Sequence, residues 1–271
     1  MKNYIVVTGG AGFIGSNLIK YLLSKTKYKI ISLDNYFTGS KKNHIKNSRV
    51  KYVVGENQNI TKLLNIYKNK IKVIFHFGEF SRIYQSFLQY DKCIRYNLKG
   101  SFEVVTFATK NRIKIIYSAT SSMLGNNGKD ENLSPYSWSK AKNLELIKNF
   151  NKWFGLKYEI VFFYNVYGPG QIKNSNMSAV IGIFETQFKK GRPLTVVKPG
   201  SQRRDFTHIN DIVSGLMKIS KSNSENFEWE LGSGKNYSIN EVFEMFEKKF
   251  SCKSKFVPDQ PGNYRETIRE N

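Results

Sequence analysis

Apolar positions recur with two periods along the first two thirds of this chain, and together they predict alternating strands and helices. Tyr4 to Val7 form an apolar run that passes through glycines into Phe13, Ile14, Leu18, Leu22 and Leu23 at helical spacing, which predicts strand, tight turn, helix. Further strands are predicted at Lys29–Asp34, Val50–Val54, Lys72–Phe77, Lys114–Ser118 and Tyr158–Phe163. Helical spacing covers Ile60–Tyr67, Ile94–Thr109 and a segment that begins near Pro135 and ends at Phe154. Strand alternating with helix implies an α/β fold with a doubly wound parallel sheet.

Beyond Tyr167-Gly-Pro-Gly170 the pattern becomes irregular. It predicts a loop at 173–178, a helix from Ala179 to Lys190, a strand at Pro193–Val197, and a segment Arg204–Asp211 leading into a helix that ends near Ser220. A polar turn to Asn226 follows, and a last helix, Ser238–Phe250, has a serine at its cap and Val242, Phe243 and Phe246 on its apolar face. The expected division is residues 1–167 as one domain and 168–271 as a smaller C-terminal lobe, with about 204–222 packing back on the first. That lobe should cover the carboxyl ends of the strands and hold a substrate.

The turn after the first strand carries chemistry. Gly9, Gly12 and Gly15 fall three apart, and Gly10-Ala-Gly12-Phe-Ile-Gly15 also matches the dinucleotide pattern in its strand-to-helix context. Glycines there turn the chain, let backbone N–H groups approach a pyrophosphate, and let the helix pack close to the strand. Asp34 ends the second strand 19 residues after Gly15. Its carboxylate can bond both hydroxyls of an adenosine ribose and would repel a 2′-phosphate, so NAD is expected in place of NADP. Spacing, context and acid agree, which favours a Rossmann-type NAD site over a glycine turn in some other parallel sheet.

Composition narrows the picture. The 271 residues carry a net charge of +22, which invites a nucleic-acid reading. The lysines, however, are spread along the chain with no tight basic run, so solvated faces are the expectation and nucleic acid is not an expected partner. A positive field would still speed the encounter with an anionic nucleotide. No apolar stretch is long enough to span a bilayer, and the N-terminal apolar residues already belong to the first strand, so no membrane association and a cytoplasmic location are expected. Cys93 and Cys252 have no paired spacing, and His44, His76 and His208 are scattered, so no metal is expected.

Tyr136-Ser-Trp-Ser-Lys140 sets a phenol and an ammonium at i and i+4, on one face of the helix that starts at Pro135. Alone, this spacing is common. Here it follows the fifth strand and the hydroxyl-rich turn Ser118-Ala-Thr-Ser-Ser122 in a chain with a dinucleotide loop. Oxidising a secondary alcohol requires a base that takes the hydroxyl proton as hydride leaves. A phenol does this once a nearby Lys⁺ and a positive nicotinamide favour its phenolate, with a Ser or Thr hydroxyl orienting the substrate oxygen.

On these motifs the chain resembles the extended short-chain dehydrogenase/reductases of the NAD-dependent nucleotide-sugar epimerase/dehydratase family, along nearly its whole length. The resemblance implies that Gly9, Gly12, Phe13, Ile14 and Gly15 hold NAD, with Asp34 at its adenosine ribose and Glu56 where the family usually has an Asp contacting the adenine, and it assigns Asn35 and Asn57 to the cofactor as well. It places Phe77 and Gly78 against the cofactor and makes Tyr136 and Lys140 the catalytic pair, both also touching NAD. Counting back from Gly125 gives Thr120 as the catalytic hydroxyl, with Ser121 or Ser122 as fallback. Asn165 and Arg204 match the residues that hold the substrate pyrophosphate, and Ser81 and Ser121 are assigned to substrate. Arg265 stands in for an arginine where this chain has Gln260. Asn97 is either a cofactor contact or a buried residue satisfying backbone. A homodimer through the helices at Ile94–Thr109 and Tyr136–Phe154 is implied as well. Relatives usually continue through a further helix beyond the position of Asn271, so the substrate lobe is expected to be short.

The turn after Thr120 separates the reactions that share this apparatus. Dehydratases of the family place Asp-Glu there, whereas this chain has Thr120-Ser-Ser-Met. The expectation is therefore NAD-dependent inversion at C4 of a nucleotide-diphospho-sugar, a UDP-hexose or UDP-N-acetylhexosamine, through a 4-keto intermediate. The alternatives are a 4,6-dehydratase, a 4-keto reductase or dehydrogenase, and a silent NAD-binding scaffold.

Overall fold

The computed structural model describes residues 2–124, 129–173, 175–223 and 225–267. Gly125, from which the hydroxyl turn was counted, lies outside them. The first part of the chain runs β1 (Tyr4–Thr8), α1 (Phe13–Lys25), β2 (Lys29–Asp34), β3 (Val50–Val54), α2 (Ile60–Leu64) and β4 (Ile71–His76). It continues with α3 (Ile83–Leu88), α4 (Tyr90–Ile94), α5 (Gly100–Lys110), β5 (Lys114–Thr120), α6 (Pro135–Phe154) and β6 (Tyr158–Phe163). The second part adds β7 (Asn165–Tyr167), α7 (Val180–Lys189), β8 (Leu194–Val197), β9 (Arg203–His208) and α8 (Ile209–Lys221). It ends with β10 (Phe227–Leu231), β11 (Asn236–Ser238), α9 (Ile239–Phe250) and β12 (Ser254–Val257).

Seven parallel strands form the main sheet in the order β10-β6-β5-β4-β1-β2-β3. The order reverses at β1, which opens a crevice between the carboxyl ends of β1 and β4 where such sheets bind ligands. Strand side chains alternate between two cores. Val6, Ile31, Leu33, Ile115 and Tyr117 pack toward α5 and α6, whereas Ile5, Val7, Ile30 and Ile116 pack toward α1 and α8. Both faces are covered, so the strands read as continuous apolar runs. Two smaller sheets, β11-β9-β7 and β12-β8, build the second part around Phe184, Leu194, Val196, Ile239 and Val242.

Local signals explain the best-placed helices. Ser134 caps α6 by accepting the Ser137 N–H at 3.0 Å, Pro135 fits the first turn, and Gly155 ends the helix at φ +69°. Ser238 and Glu241 form a reciprocal capping box on α9, at 3.0 and 2.6 Å.

Two predicted helices differ in the structure. The segment Ile60–Tyr67 is helical only to Leu64 and then tightens into a 3₁₀ stretch, Asn65–Lys70. The helix expected from Ile94 begins earlier, at Tyr90, and carries a π-turn at Arg95–Lys99. The edge strand β10 was not anticipated, although Glu228 and Glu230 alternate with Phe227, Trp229 and Leu231 after the polar turn. Its Trp229 Nε1 donates to the buried Glu159 at 2.7 Å, which ties this strand to β6.

Candidate active site

A cavity of about 560 Å³ opens over the crevice between β1 and β4. Gly9, Gly12, Phe13, Ile14, Gly15, Asp34, Asn35, Phe77, Gly78, Ser81, Thr120, Ser121, Tyr136, Lys140, Asn165 and Arg204 all line it.

The glycine turn is built by sterics. Gly9 sits at φ +67°, and a Cβ there would lie 2.9 Å from backbone atoms of Phe77 and Gly78. At Gly15 a Cβ would lie 2.2 Å from the Gly9 carbonyl oxygen. Gly12 precedes α1 without a side-chain cap, and the first turn holds no acidic residue, so its N–H groups remain open to an anion. Asp34 closes the turn from the other side. Its Oδ2 accepts the Ala11 N–H at 2.9 Å and its Oδ1 the Tyr36 N–H at 2.7 Å. Burial pushes the carboxyl above its usual range, while those two amides and His44 pull it back down. A backbone cradle that no side chain could enter, with a carboxylate at the end of β2, fits NAD.

Glu56 and Asn57 lie in a recess beside the cavity that shares Gly9, Asp34, Asn35 and Gly78 with it. Glu56 pairs with Arg95 at 2.7 Å, and Asn57 donates to the Gly78 carbonyl at 2.6 Å. Two expected site residues are not brought to the cavity. Asn97, on the π-turn, is fully buried, accepting the Phe80 N–H at 2.6 Å and donating to Ser139 Oγ at 2.9 Å. Of its two readings, the geometry is that of the backbone-satisfying asparagine. Arg265 is exposed, at a bend that follows the buried Tyr264. Its backbone carbonyl accepts the Arg203 N–H at 2.8 Å.

At the reacting end, Thr120 and the Tyr136 phenol line the cavity together, and the Thr120 hydroxyl favours the phenolate. A chain of hydroxyls continues from Thr120 to Ser122 at 3.0 Å, Ser137 at 3.3 Å and Ser134 at 3.0 Å. Burial raises the phenol's pKa, and the Lys140 ammonium is the largest influence lowering it. Lys140 donates to the Ser118 carbonyl at 2.6 Å and pairs with Glu79, both side chains almost wholly buried.

Two residues of this end escaped the sequence reading. Glu79 lies between Gly78 and Ser81, which the resemblance assigned; its own pairing with Lys140 spans 61 positions and leaves no local signal. Arg82 lines the cavity, donating from Nε to the Met177 carbonyl at 2.5 Å and from Nη1 to the Ser81 carbonyl at 2.8 Å. Among the described residues no carboxylate pairs with it. Arg204 has a similar character. Its Nη2 donates to the Tyr264 carbonyl at 2.8 Å and to Asn263 Oδ1 at 2.9 Å, and its guanidinium stacks 3.5 Å from the Tyr264 ring. Burial lowers the pKa of both arginines.

The family model described as "NAD dependent epimerase/dehydratase family" matches residues 5–232. A putative UDP-glucose 4-epimerase of Methanocaldococcus jannaschii is 30% identical, over 95% of this chain and 86% of that protein. UDP-glucuronic acid decarboxylase 6 of Arabidopsis thaliana is 31% identical, over 79% of this chain and 65% of its own length. Among solved structures, UDP-glucuronic acid 4-epimerase of Bacillus cereus, in complex with UDP-glucuronic acid and NAD, superposes with a TM-score of 0.88. It is 26% identical, over 98% of this chain and 90% of that one.

Proposed function

Because this chain belongs to the NAD-dependent epimerase/dehydratase family, we propose that it inverts C4 of a nucleotide-diphospho-sugar, with a UDP-hexose or UDP-N-acetylhexosamine as substrate. It is an enzyme, an isomerase that uses NAD. One observation carries epimerisation over dehydration. Among the described residues lining the cavity the carboxylates are Asp34 and Glu79, and both are engaged by the protein. Asp34 holds the glycine turn, and Glu79 holds Lys140. Eliminating water needs a positioned acid and base beyond Tyr136, and the Thr120-Ser-Ser-Met turn supplies none.

NAD in the cradle supplies the hydride acceptor and donor. Tyr136, as phenolate, takes the C4 hydroxyl proton, and Thr120 orients that oxygen. Lys140 favours the phenolate through its charge. Arg204 and Asn165 hold the pyrophosphate while the 4-keto sugar turns over, after which Tyr136 returns the proton to the oxygen on the opposite face. Binding residues far from the reacting carbon are what such a rotation requires.

The same reading gives residues 1–167 to NAD and 168–271 to substrate, with about 204–222 packing back on the first part, where α8 lies against the main sheet and β10 joins its edge, in a cytoplasmic homodimer. Phe102 on α5 and Trp153 and Phe154 on α6, exposed at 45%, 59% and 62%, support pairing through those helices. Among the described residues no helix is long and apolar enough to cross a membrane.

The test is incubation of protein and NAD with UDP-glucose, UDP-N-acetylglucosamine and their galacto epimers, read by NMR. C4 inversion without net NADH is expected. A 4-keto-6-deoxy product or accumulating NADH would replace this reading with dehydration or simple dehydrogenation. No conversion of any of these sugars by protein that binds NAD would reject the proposed substrates.

A further inference from the structure

Glu79 follows β4 and lies under the catalytic end of α6. Its Oε1 accepts from Ser101 Oγ at 2.7 Å, Asn143 Nδ2 at 2.8 Å and the Tyr117 hydroxyl at 3.1 Å, while Oε2 takes the Lys140 ammonium. Donors from α5, β5 and α6 therefore fix one carboxylate that is 1% exposed. Ser101 also bonds His76 Nε2 at 2.8 Å, and His76 Nδ1 meets Thr8 Oγ1 at 2.7 Å, so the network reaches β1 beside the glycine turn. Lys140 donates to Glu79, to the Ser118 carbonyl at 2.6 Å and, at 3.5 Å, to Ser118 Oγ, and it lines the cavity.

We propose that Glu79 is the positioning residue of the proton transfer, fixing Lys140 from the protein side and opposing its charge at the Tyr136 phenol. The inference rests on Tyr136 being the base of the proposed reaction. The groups facing that phenol are Lys140 on its own helix, Arg82 at the start of α3, Glu79 after β4 and Tyr117 on β5. Lys140 and Arg82 lower the phenol's pKa and Glu79 raises it. Around Glu79, burial keeps His76 neutral, down to about 4, pushes the Cys93 thiol up to about 11, and raises Tyr117. Glu79 is thus the charge that offsets Lys140, and Arg82 is left as the unopposed cation near the base. The balance makes Tyr136 sensitive to any further positive charge that enters the cavity, a nicotinamide ring included.

The test separates charge from shape. Glu79→Gln keeps an acceptor for the surrounding donors and removes the charge, whereas Glu79→Asp keeps the charge. Two readouts are followed: tyrosinate absorbance of NAD-free protein on titration, with Tyr136→Phe as the blank, and the acid limb of the pH–turnover profile. In Glu79→Gln both should move down by about one pH unit, and in Glu79→Asp both should stay at the wild-type position. An unmoved or upward-moving limb in Glu79→Gln, or equal behaviour of the two variants, overturns the proposal. If Glu79→Gln does not fold, Lys140→Met is compared with Lys140→Met/Glu79→Gln, which removes a buried pair together and is the better tolerated change. The single variant should then titrate Tyr136 at the higher pH, and equal values reject the role. Turnover surviving in Tyr136→Phe would reject Tyr136 as the base. An inactive Tyr136→Phe beside an unmoved Glu79→Gln would reject Glu79 alone.

Discussion

The two ends of the cavity are made differently. At the cofactor end the wall is largely backbone: at Gly9, Gly15 and Gly78 the chain segments approach so closely that a single Cβ would collide with main chain. At the end proposed for the sugar the wall is side chains, with Thr120, Tyr136, Arg82, Asn165 and Arg204 drawn from five separate stretches of sequence. A backbone wall tolerates almost no substitution but reads only shape and charge common to all dinucleotides. A side-chain wall can be re-specified residue by residue, which is how one fold serves several sugar chemistries.

If that contrast holds, changes at the two ends should break different steps. The largest effect is expected from Tyr136→Phe, which removes the proposed proton acceptor and should lower kcat by ~10²–10⁴-fold while leaving NAD affinity, measured by calorimetry, close to wild type. Next comes Arg204→Ala. Losing charge-assisted hydrogen bonds of ~1.5–3 kcal/mol should raise KM for the nucleotide sugar by ~10–100-fold with kcat little changed. Equal losses in kcat and kcat/KM would move Arg204 from uniform binding to the transition state. Gly15→Ala sharpens the other side. Its Cβ would sit 2.2 Å from the Gly9 carbonyl oxygen, so NAD binding should weaken and the fold should lose ~1–3 kcal/mol in denaturant titration. Retained NAD affinity there would show that the cradle can relax.

The smallest effect concerns the link between the ends. His76 is held down to about 4 from an ordinary 6.5 by burial. Between those values the unfolded chain binds a proton that the folded one does not, so stability is full above about pH 6.5 and is lost as pH falls toward 4. Replacing it, His76→Gln, should flatten the fall of the melting temperature over that range. An unchanged slope would assign the acid sensitivity to other groups.

What the sequence determined by itself follows from local physics. The strands β2 and β6 and the helix α6 are legible at their ends, because strands buried on both faces are largely apolar and because Ser134, Pro135 and Gly155 mark a helix in the chain itself; the edge strand β3 is legible from its alternation instead. The glycine turn, Asp34 and the Tyr136–Lys140 spacing are legible for the same reason, since each depends on residues within one strand-turn-helix unit or one helical turn. Tertiary structure alone decided the rest. It placed β10 at the sheet edge, turned Arg265 to solvent, buried Asn97 on a π-turn, and brought Glu79 to Lys140 and Arg82 to the cavity. These are pairings between segments tens of residues apart, and a buried charge declares its partner only when folding removes the water that would otherwise have served it.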